Sequence, residues 1–242
     1  MTTSAFITGA SRGIGKACAL ELAERFDTII LNSFHNQDAL LETKEQVQKK
    51  GVNCLAYCGD IGDYQFVKNM IEDINNRNVT IDLLINNAAI SYVGLLTDMT
   101  IEDWNQIIQT NLTSVFNCCK EIVPSMVRNK KGHIINISSM WGLSGASCEV
   151  AYSTTKGGLN AFTQALAKEL APSSITVNAI ACGTINTSMN DCFSDEEIKN
   201  LENDIPIGRM GTCEEVARMV RLIYESPLYL TGEIIKFDGG YL

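Results

Sequence analysis

Several features that mark other classes of protein are missing from this 242-residue chain. No apolar run approaches the roughly 18 residues that a membrane-spanning helix needs, so we expect no membrane partner. The first residues, Met1 to Ser4, have neither the basic start nor the apolar stretch of a secretory signal peptide. The sequence therefore predicts a cytoplasmic location.

The chain is also poor in the ligands and spacings of metal and disulfide sites. It has two histidines, His35 and His133, and no C-x-x-C among its nine cysteines. Structural zinc sites combine several cysteine and histidine ligands, and disulfide frameworks need paired cysteines in an oxidising compartment. We therefore predict no metal site and interpret the cysteines as small apolar residues in a reducing compartment.

Positive charge is scarce as well, because 19 lysines and arginines stand against 28 acidic residues and give a net charge of −9. Proteins that bind nucleic acid carry a basic surface, so we expect no nucleic-acid partner. The other proportions, 45% hydrophobic and 19% charged residues, are those of a globular protein. No linker or repeat divides the chain, and its length suits one α/β domain over residues 1–242.

Short apolar runs alternate with stretches of helical period along the chain. The runs that predict strands are Ala5–Thr8, Thr28–Leu31, Val52–Cys58, Asp82–Asn86, His133–Ser138, Ile175–Ile180 and Glu233–Phe237. The stretches that predict helices are Gly15–Phe26, Ala39–Lys50, Tyr64–Asn76, Ile101–Arg128, Ala151–Leu170, Glu214–Tyr224 and a short piece at Ser194–Asn203. The first six runs are dense in Ile, Leu and Val, as in strands buried on both faces. This alternation predicts a doubly wound α/β domain of the Rossmann type, with helices on both faces of a parallel sheet.

A glycine-rich turn follows the first strand. The segment Thr8–Gly15, with the sequence TGASRGIG, leads straight into a helical stretch. Glycines there let the backbone turn tightly and approach a pyrophosphate, and the new helix offers free N–H groups and the positive end of its dipole. Many turns of this kind contain glycine, so its position at the start of an α/β chain is what favours a dinucleotide site.

Charge at the end of the second strand distinguishes the two nicotinamide dinucleotides. A NAD site usually places Asp or Glu there to bind the ribose 2′-hydroxyl. Here the strand ends in Asn32 and Ser33, and the nearest acid, Asp38, comes too late. Arg12 in the glycine turn is placed to reach a 2′-phosphate instead, which favours NADP(H). The alternative is that Arg12 is a solvated loop charge.

A tyrosine and a lysine stand four residues apart at the start of a later helical stretch. Tyr152 and Lys156 therefore share one face of that helix. A phenol has a pKa of about 10, and a neighbouring cation lowers it. The pair is suited to give a proton to a carbonyl oxygen during reduction. Ser139, at the end of the fifth strand, would hold the same oxygen, although a serine there is equally suited merely to end a strand.

Asn111 is an unusual residue within the long helical stretch Ile101–Arg128. Asparagine is a mediocre helix former, and a polar amide among apolar neighbours needs a partner. Two interpretations follow. The amide binds a water that leads to Lys156, or it satisfies the backbone of a kinked helix.

Taken together, these motifs resemble the short-chain dehydrogenase/reductase family over nearly the whole chain. The matching segments, in order, are TGASRGIG at Thr8–Gly15, Asp60, INNA at Ile85–Ala88, Asn111, Ser139, YxxxK at Tyr152–Lys156, GxIxT at Gly183–Thr187 and FDGG at Phe237–Gly240. The segments Ile205–Ala217 and Tyr229–Gly240 resemble the 3-oxoacyl-acyl-carrier-protein reductases of that family. The resemblance implies a seven-stranded, mainly parallel sheet and a homotetramer or homodimer.

The resemblance also implies a role for each matching residue. The catalytic tetrad would be Asn111, Ser139, Tyr152 and Lys156. Ser139 would orient the substrate oxygen and Tyr152 would give the proton. Lys156 would bind the nicotinamide ribose and lower the pKa of Tyr152, and Asn111 would hold a proton-relay water. The residues expected to bind the NADP(H) cofactor, besides Tyr152 and Lys156, are Gly9, Ser11, Arg12, Gly13, Ile14, Gly15, Asn32, Ser33, Asp60, Ile61, Asn87, Ala88, Gly183, Ile185 and Thr187.

Two positions depart from the family pattern. Ala89 replaces the glycine of N-N-A-G, and Cys182 replaces the proline before Gly183. The methyl group of Ala89 is small, so we expect only a slight shift of the backbone. Losing proline frees φ and adds an N–H donor, so we expect a looser nicotinamide loop.

The carbonyl substrate is left open between several classes. The resemblance favours reduction of a 3-oxoacyl thioester, on acyl carrier protein or coenzyme A. The alternatives are a sugar, polyol or steroid alcohol dehydrogenase and a non-catalytic NADP-binding sensor. Arg128, Lys130 and Lys131 are suited to dock an acidic carrier or simply to end a helix. Ser173–Ser174 stands where carrier-protein reductases often have an arginine. Glu149 would favour a hydroxylated substrate if it faced the pocket, and is otherwise an ordinary first-turn acid.

Overall fold

A computed structural model describes residues 3–190 and 194–242 of the chain. Seven strands within these residues form one sheet: β1 (Ser4–Ile7), β2 (Thr28–Ser33), β3 (Asn53–Cys58), β4 (Leu83–Asn86), β5 (Gly132–Ser139), β6 (Ile175–Cys182) and β7 (Ile234–Phe237). Their spatial order is β3-β2-β1-β4-β5-β6-β7, and neighbouring strands are parallel throughout. The predicted doubly wound α/β fold with seven strands is confirmed, and the sheet is wholly rather than mainly parallel.

Helices cover both faces of this sheet. They are α1 (Gly13–Leu22), α2 (Gln37–Lys49), α3 (Tyr64–Asn76), α4 (Ile101–Ile108), α5 (Ser114–Asn129), α6 (Trp141–Ser144), α7 (Val150–Leu170), α8 (Asp195–Asp204) and α9 (Cys213–Tyr224). One apolar core contains residues of α1, α2 and α9, and a second contains residues of α3, α5 and α7. In the described part of the chain, no helix combines the length and the apolar character that a membrane span requires.

Alternation of side chains along the strands builds the two cores. Ala5 and Ile7 of β1 enter the first core together with Ile29 of β2, whereas Phe6 and Ile30 enter the second. Successive strand residues point to opposite faces of a sheet. Because both faces are covered by helices, every one of these positions is apolar, and the strands form continuous apolar runs in the sequence.

The order of the strands creates a crevice beside β1. This strand pairs with β2 on one side and with β4 on the other, so the connections that leave β1 and β4 diverge. In open parallel sheets, ligands bind outside the carboxyl ends of the strands at such a switch point. The glycine turn after β1 lies at this edge of the sheet.

Two helical features differ from the sequence prediction. The stretch Ile101–Arg128 is not one helix, because a π-helical turn at Gln109–Thr113 separates α4 from α5. The short helix α6 follows β5 after a single residue, where no helix was predicted. Both differences lie close to the residues predicted to be catalytic.

The described cysteines are free thiols. Cys18, Cys118 and Cys182 are buried in the two apolar cores, which is the environment expected for a cysteine that acts as a small apolar residue. Cys192 lies outside the described residues.

Candidate active site

The glycine turn joins the carboxyl end of β1 to α1. Gly9 and Gly13 have left-handed backbones with φ of +65° and +57°, a conformation that favours glycine. Gly15 is required by space, since a side chain there would collide with the carbonyl oxygen of Gly9. α1 begins after its N-cap Arg12, and no side chain caps it. The first N–H groups of the helix therefore remain available to an anion, and this turn fits the pyrophosphate of a dinucleotide.

The segment after β4 is bound to the glycine turn. The Asn87 amide donates hydrogen bonds to the carbonyl oxygens of Thr8 and Gly9, at 2.9 and 3.1 Å. The Thr8 hydroxyl accepts hydrogen bonds from the backbone N–H groups of Asn87 and Ala88, at 2.9 and 3.1 Å. Both hydrogens of the Asn87 amide are thus used within the protein. The structure gives Asn87 the task of holding the turn, and the half-buried Ala88 lies at the edge of the crevice.

The end of β2 carries no carboxylate. Asn32 is 1% exposed, and its amide donates to the carbonyl oxygens of Tyr57 and Gly59 at 3.2 and 3.0 Å, so it links β2 to β3 rather than reaching a ribose. The Ser33 hydroxyl donates to the Ser11 hydroxyl at 3.1 Å, which fixes the strand end against the glycine turn. Arg12 is exposed and forms no ion pair with any described residue. Its guanidinium is therefore available to a phosphate on this side.

The turn after β3 is also fixed by side chains. The Asp60 carboxylate accepts a hydrogen bond from the backbone N–H of Gly62 at 2.7 Å. The Asn117 amide, on α5, donates to the carbonyl oxygens of Ile61 and Gly62 at 3.1 and 2.8 Å. The Ile61 side chain belongs to the second core. Because the Ile61 side chain is packed in the core, the predicted contact with the adenine would be made by the backbone of this turn.

Ser139, Tyr152 and Lys156 converge at the carboxyl end of β5. Ser139 ends that strand, while Tyr152 and Lys156 lie one turn apart near the start of α7. The Lys156 Nζ lies 5.6 Å from the centroid of the Tyr152 ring and donates a hydrogen bond to the carbonyl oxygen of Ile137 at 2.8 Å. A hydrogen bond joins the side chains of Ser139 and Tyr152. The structure thus brings together three of the four residues that the sequence proposed as catalytic.

Burial dominates the electrostatics of this cluster. It raises the pKa of the Tyr152 phenol, and the hydrogen bond with Ser139 acts in the opposite direction. Burial also lowers the pKa of the Lys156 ammonium to about 8. The sequence led us to expect a lowered phenol pKa. The structure shows no such lowering, because the cost of burying a phenolate outweighs the hydrogen bond with Ser139, which is the one influence within the described residues that lowers this pKa. Tyr152 therefore carries its proton at neutral pH, as a proton donor must.

Asn111 lies in the π-helical turn and is 1% exposed. Its Oδ1 accepts a hydrogen bond from the backbone N–H of Ile90 at 2.8 Å. Its Nδ2 donates to the carbonyl oxygen of Ile90 at 2.8 Å and to the Thr155 hydroxyl at 3.2 Å. Asn111 therefore ties the segment after β4 to α7, next to Lys156. π-helical turns occur frequently at functional sites. The helix is interrupted at Asn111, but its side chain bonds to Ile90 and Thr155 rather than to the backbone of that helix, and the relay water remains a prediction.

The segment after β6 reaches across to the glycine turn. Gly183 is required by space, because a side chain there would lie 2.7 Å from the Cα of Asp238. Ile185 is 7% exposed and forms an isolated parallel bridge with Gly211. A Cβ atom built on Gly13 would lie 3.7 Å from the Thr187 Cγ2. The segment Gly183–Thr187 thus spans the crevice between β6 and α1, where the nicotinamide was predicted to lie.

The structure explains why the two departures from the family pattern are tolerated. Ala89 has no positive φ, so its backbone accepts an ordinary residue without strain. Cys182 ends β6 in register with Ser139 and Phe237, and its carbonyl oxygen accepts a hydrogen bond from Met140 at 2.8 Å. A strand residue therefore stands where the family has proline, and the expected loosening of the following loop remains a prediction.

Sequence reasoning missed the residues that fix α7 against the sheet. The Ser138 hydroxyl donates to Asn160 Oδ1 at 2.7 Å, and the Asn160 amide donates to the carbonyl oxygen of Gly142 at 3.0 Å. Gly142 lets α6 pack on the catalytic helix, since a Cβ there would lie 2.7 Å from the Lys156 backbone carbon. Asn160 stands four residues after Lys156 on the same helix face, and that spacing was the available signal.

Known proteins are similar to this chain in sequence and in fold. The family model described as short chain dehydrogenase matches residues 3–198. A 3-oxoacyl-[acyl-carrier-protein] reductase of Staphylococcus aureus is 38% identical over 99% of this chain and 98% of its own length. An uncharacterised oxidoreductase of Bacillus subtilis is 37% identical over 100% of this chain and 99% of its own. The crystal structure of a 3-oxoacyl-[acyl-carrier protein] reductase from Brucella melitensis superposes with a TM-score of 0.92, at 30% identity, and covers 99% of this chain and 91% of that one.

Proposed function

Because the chain belongs to the short-chain dehydrogenase family, we propose that it reduces a ketone to a secondary alcohol with NADPH. It is an oxidoreductase of a family that uses nicotinamide cofactors. The observation that carries the proposal is the cluster of Ser139, Tyr152 and Lys156 at the carboxyl edge of the sheet, beside an uncapped helix N-terminus.

Each residue of the cluster has one task in the reduction. When bound, the nicotinamide supplies the hydride that adds to the carbonyl carbon. Ser139 and Tyr152 hold the carbonyl oxygen between their hydroxyls, and the Tyr152 hydroxyl gives its proton to that oxygen as the C=O bond becomes a C–O single bond. The Lys156 ammonium, anchored on the carbonyl oxygen of Ile137, stabilises the phenolate that remains.

The choice of NADPH rests on charge at the end of β2. A carboxylate there would repel a 2′-phosphate, and the residues at this strand end, Asn32 and Ser33, are neutral. The exposed guanidinium of Arg12 lies in the adjoining turn without an ion-pair partner among the described residues. Arginine is suited to bind phosphate because its planar fork donates two parallel hydrogen bonds.

The substrate class that the comparisons favour is a 3-oxoacyl thioester, since two of the proteins described above are named for that activity. Docking of an acyl carrier protein on the basic end of α5 receives less support. Lys131 forms an ion pair with Asp82 at 2.8 Å, and Lys130 has the left-handed backbone that ends the helix. We therefore propose the thioester itself, and not the carrier, as the first substrate to test.

We further propose that residues 1–242 act as one domain and assemble in the cytoplasm as a homotetramer or homodimer. The apolar side chains of Ile101 on α4 and Phe116 on α5 support this, because they are 70% and 51% exposed. Large contiguous patches of exposed apolar side chains mark surfaces that another protein covers, and in this proposal both side chains belong to such a patch.

The direct test follows NADPH absorbance with acetoacetyl thioesters as substrates and compares NADH at equal concentration. We expect oxidation of NADPH by the wild-type protein and a preference for NADPH over NADH. Tyr152→Phe keeps the ring and removes the proton donor, so turnover should fall by about three orders of magnitude while NADPH still raises the melting temperature. Turnover by Tyr152→Phe at the wild-type rate would refute the role assigned to the phenol.

A further inference from the structure

The ring of Tyr241 packs against Trp141, which stands two residues after Ser139. The ring centroids lie 5.7 Å apart and the planes meet at 88°, in an edge-to-face contact of the kind that aromatic pairs prefer. Both side chains are half-buried. Among the described residues, the Tyr241 hydroxyl has no hydrogen-bond partner. The contact is therefore made by the ring of the tyrosine and not by its hydroxyl.

Trp141 in turn contacts the serine of the proposed catalytic cluster through its backbone. The Trp141 N–H donates a hydrogen bond to Ser139 Oγ at 3.2 Å. A serine hydroxyl has one hydrogen to donate and two lone pairs that accept. Because the Trp141 N–H occupies one lone pair, the hydroxyl hydrogen is left to donate to the oxygen of a substrate carbonyl. Hydrogen bonds in such a chain strengthen one another, so the position of Trp141 affects how well Ser139 binds that oxygen.

Trp141 begins α6, which is a single helical turn of four residues. A helix of this length is not stable by itself, so its position depends on the elements packed against it. The Met140 N–H donates to a carbonyl oxygen of β6 at 2.8 Å. Gly142 lies on α7, since a Cβ there would come within 2.7 Å of the Lys156 backbone carbon. The Trp141 side chain packs on Tyr241, and this third contact acts directly on the residue that donates to the serine.

Tyr241 itself is held by a turn that begins at Asp238. The Asp238 carboxylate accepts hydrogen bonds from the backbone N–H groups of Gly240 and Leu242, both at 3.0 Å. The Lys236 ammonium donates to the backbone oxygen of Leu242 at 2.8 Å. The residue between Gly240 and Leu242 is therefore fixed on both sides, so its ring is held in place against α6.

We propose that Tyr241 is a positioning residue for the reduction. By packing on Trp141, it keeps the N–H of that residue on Ser139 Oγ and so directs the serine hydroxyl to the substrate carbonyl. The inference rests on the proposed ketone reduction and gives Tyr241 no contact with substrate or cofactor. The hydrogen bond from Ser139 strengthens as negative charge develops on the substrate oxygen, so its weakening lowers kcat more than it raises KM.

Two substitutions at Tyr241 test this, with NADPH and an acetoacetyl thioester as substrates. Tyr241→Ala removes the ring, so kcat should fall about tenfold, which is the rate equivalent of one aromatic pair, with the KM for NADPH unchanged. Tyr241→Phe keeps the ring and should retain the wild-type kcat. A rise in melting temperature with NADPH shows that each variant is folded. If Tyr241→Ala is not folded, Tyr241→Leu, which fills part of the same space without a ring, takes its place in the test.

A second background shows whether the effect passes through Ser139. In Ser139→Ala the hydroxyl is absent, so adding Tyr241→Ala should cause no further loss of the single-turnover rate, which stays measurable at high enzyme concentration. A merely structural role would lower the rate by the same factor in both backgrounds. The control is Tyr229→Ala, because Tyr229 is 100% exposed, and this variant should keep the wild-type kcat.

Failure of the two proposals is distinguishable. If the wild-type protein reduces no acetoacetyl thioester or other ketone with NADPH, the proposed function fails, and the role of Tyr241 fails with it. If Tyr241→Ala keeps the wild-type kcat, or lowers the rate equally with and without the Ser139 hydroxyl, ketone reduction stands and the role of Tyr241 is overturned. A loss in Tyr241→Phe as large as that in Tyr241→Ala would overturn it as well, because the ring is retained there.

Discussion

Burial of Lys156 affects its proposed role in catalysis by changing the pKa of its ammonium group. Burial lowers its pKa to about 8, so the ammonium is present below that pH and lost above it. Tyr152 keeps its proton over the same range, because burial raises its pKa. We therefore expect kcat/KM for ketone reduction to fall as the pH rises through about 8, with the lysine rather than the tyrosine as the titrating group.

The variant Lys156→Arg shows whether titration of Lys156 or of Tyr152 causes the decline in this pH profile. A guanidinium stays charged throughout the accessible range, so the variant should be slower at neutral pH but should lose the decline near pH 8. The measurement is kcat/KM between pH 6 and pH 10 for both proteins. An identical decline in the variant would show that another group causes it.

At the scale of single residues, local sequence patterns predicted which residues would form the site. They did not predict the burial of those residues or their contacts with distant parts of the chain. The glycines of Thr8–Gly15 and the spacing of Tyr152 and Lys156 are visible in the sequence because each depends on near neighbours. The surroundings of Glu149 depend on the fold, since the carbonyl oxygen of the preceding residue, Cys148, accepts a hydrogen bond from Gly94, which is far away in the chain. The sequence allowed either a pocket acid or a helix-start acid at this position, and the Glu149 side chain makes no capping hydrogen bond.

Among the elements, those with a strong period were predicted and those set by distant contacts were not. β1 and β2 are buried on both faces, so their apolar runs are continuous. The π-helical turn has no such signal. It contains Asn111, whose partners Ile90 and Thr155 lie 21 and 44 residues away in sequence. An asparagine inside an apolar helical pattern was the sole indication that the helix is interrupted.

The hydrogen bonds of Asn111 in the π-helical turn lead to a prediction about the stability of the protein. Asn111→Leu keeps the approximate size of the side chain and removes its hydrogen bonds to Ile90 and Thr155, leaving the backbone groups of Ile90 without this partner. Each lost bond to a buried group costs about 1 kcal/mol or more, so we expect the free energy of unfolding to fall by about 2–4 kcal/mol. Urea unfolding measures this difference. Gln106→Leu, on the exposed face of α4, is the control and should change stability by less than about 0.5 kcal/mol.

For the whole molecule, the two helices on either side of the turn that contains Asn111 present apolar side chains to the outside. Phe116 on α5 is 51% exposed, and Ile101 on α4 is 70% exposed. α4 and α5 flank the turn that contains Asn111, and that residue contacts α7 through Thr155. A subunit interface on α4 and α5 would therefore lie next to the elements that position the catalytic cluster, and losing the interface would disturb them.

This arrangement predicts that assembly and activity are lost together. Phe116→Asp replaces an apolar side chain, whose burial contributes about 2 kcal/mol per protomer, by a charge that a packed interface cannot accommodate. We expect the wild-type chain to sediment as a tetramer or dimer, and the variant to sediment as a smaller species with a lower kcat at low protein concentration. Leu41→Asp is the control, because Leu41 is 42% exposed on α2, away from these helices, and should change neither property. A wild-type chain that sediments as a monomer at micromolar concentration with full activity would show that these apolar side chains serve no interface and that the catalytic cluster is held by one protomer alone.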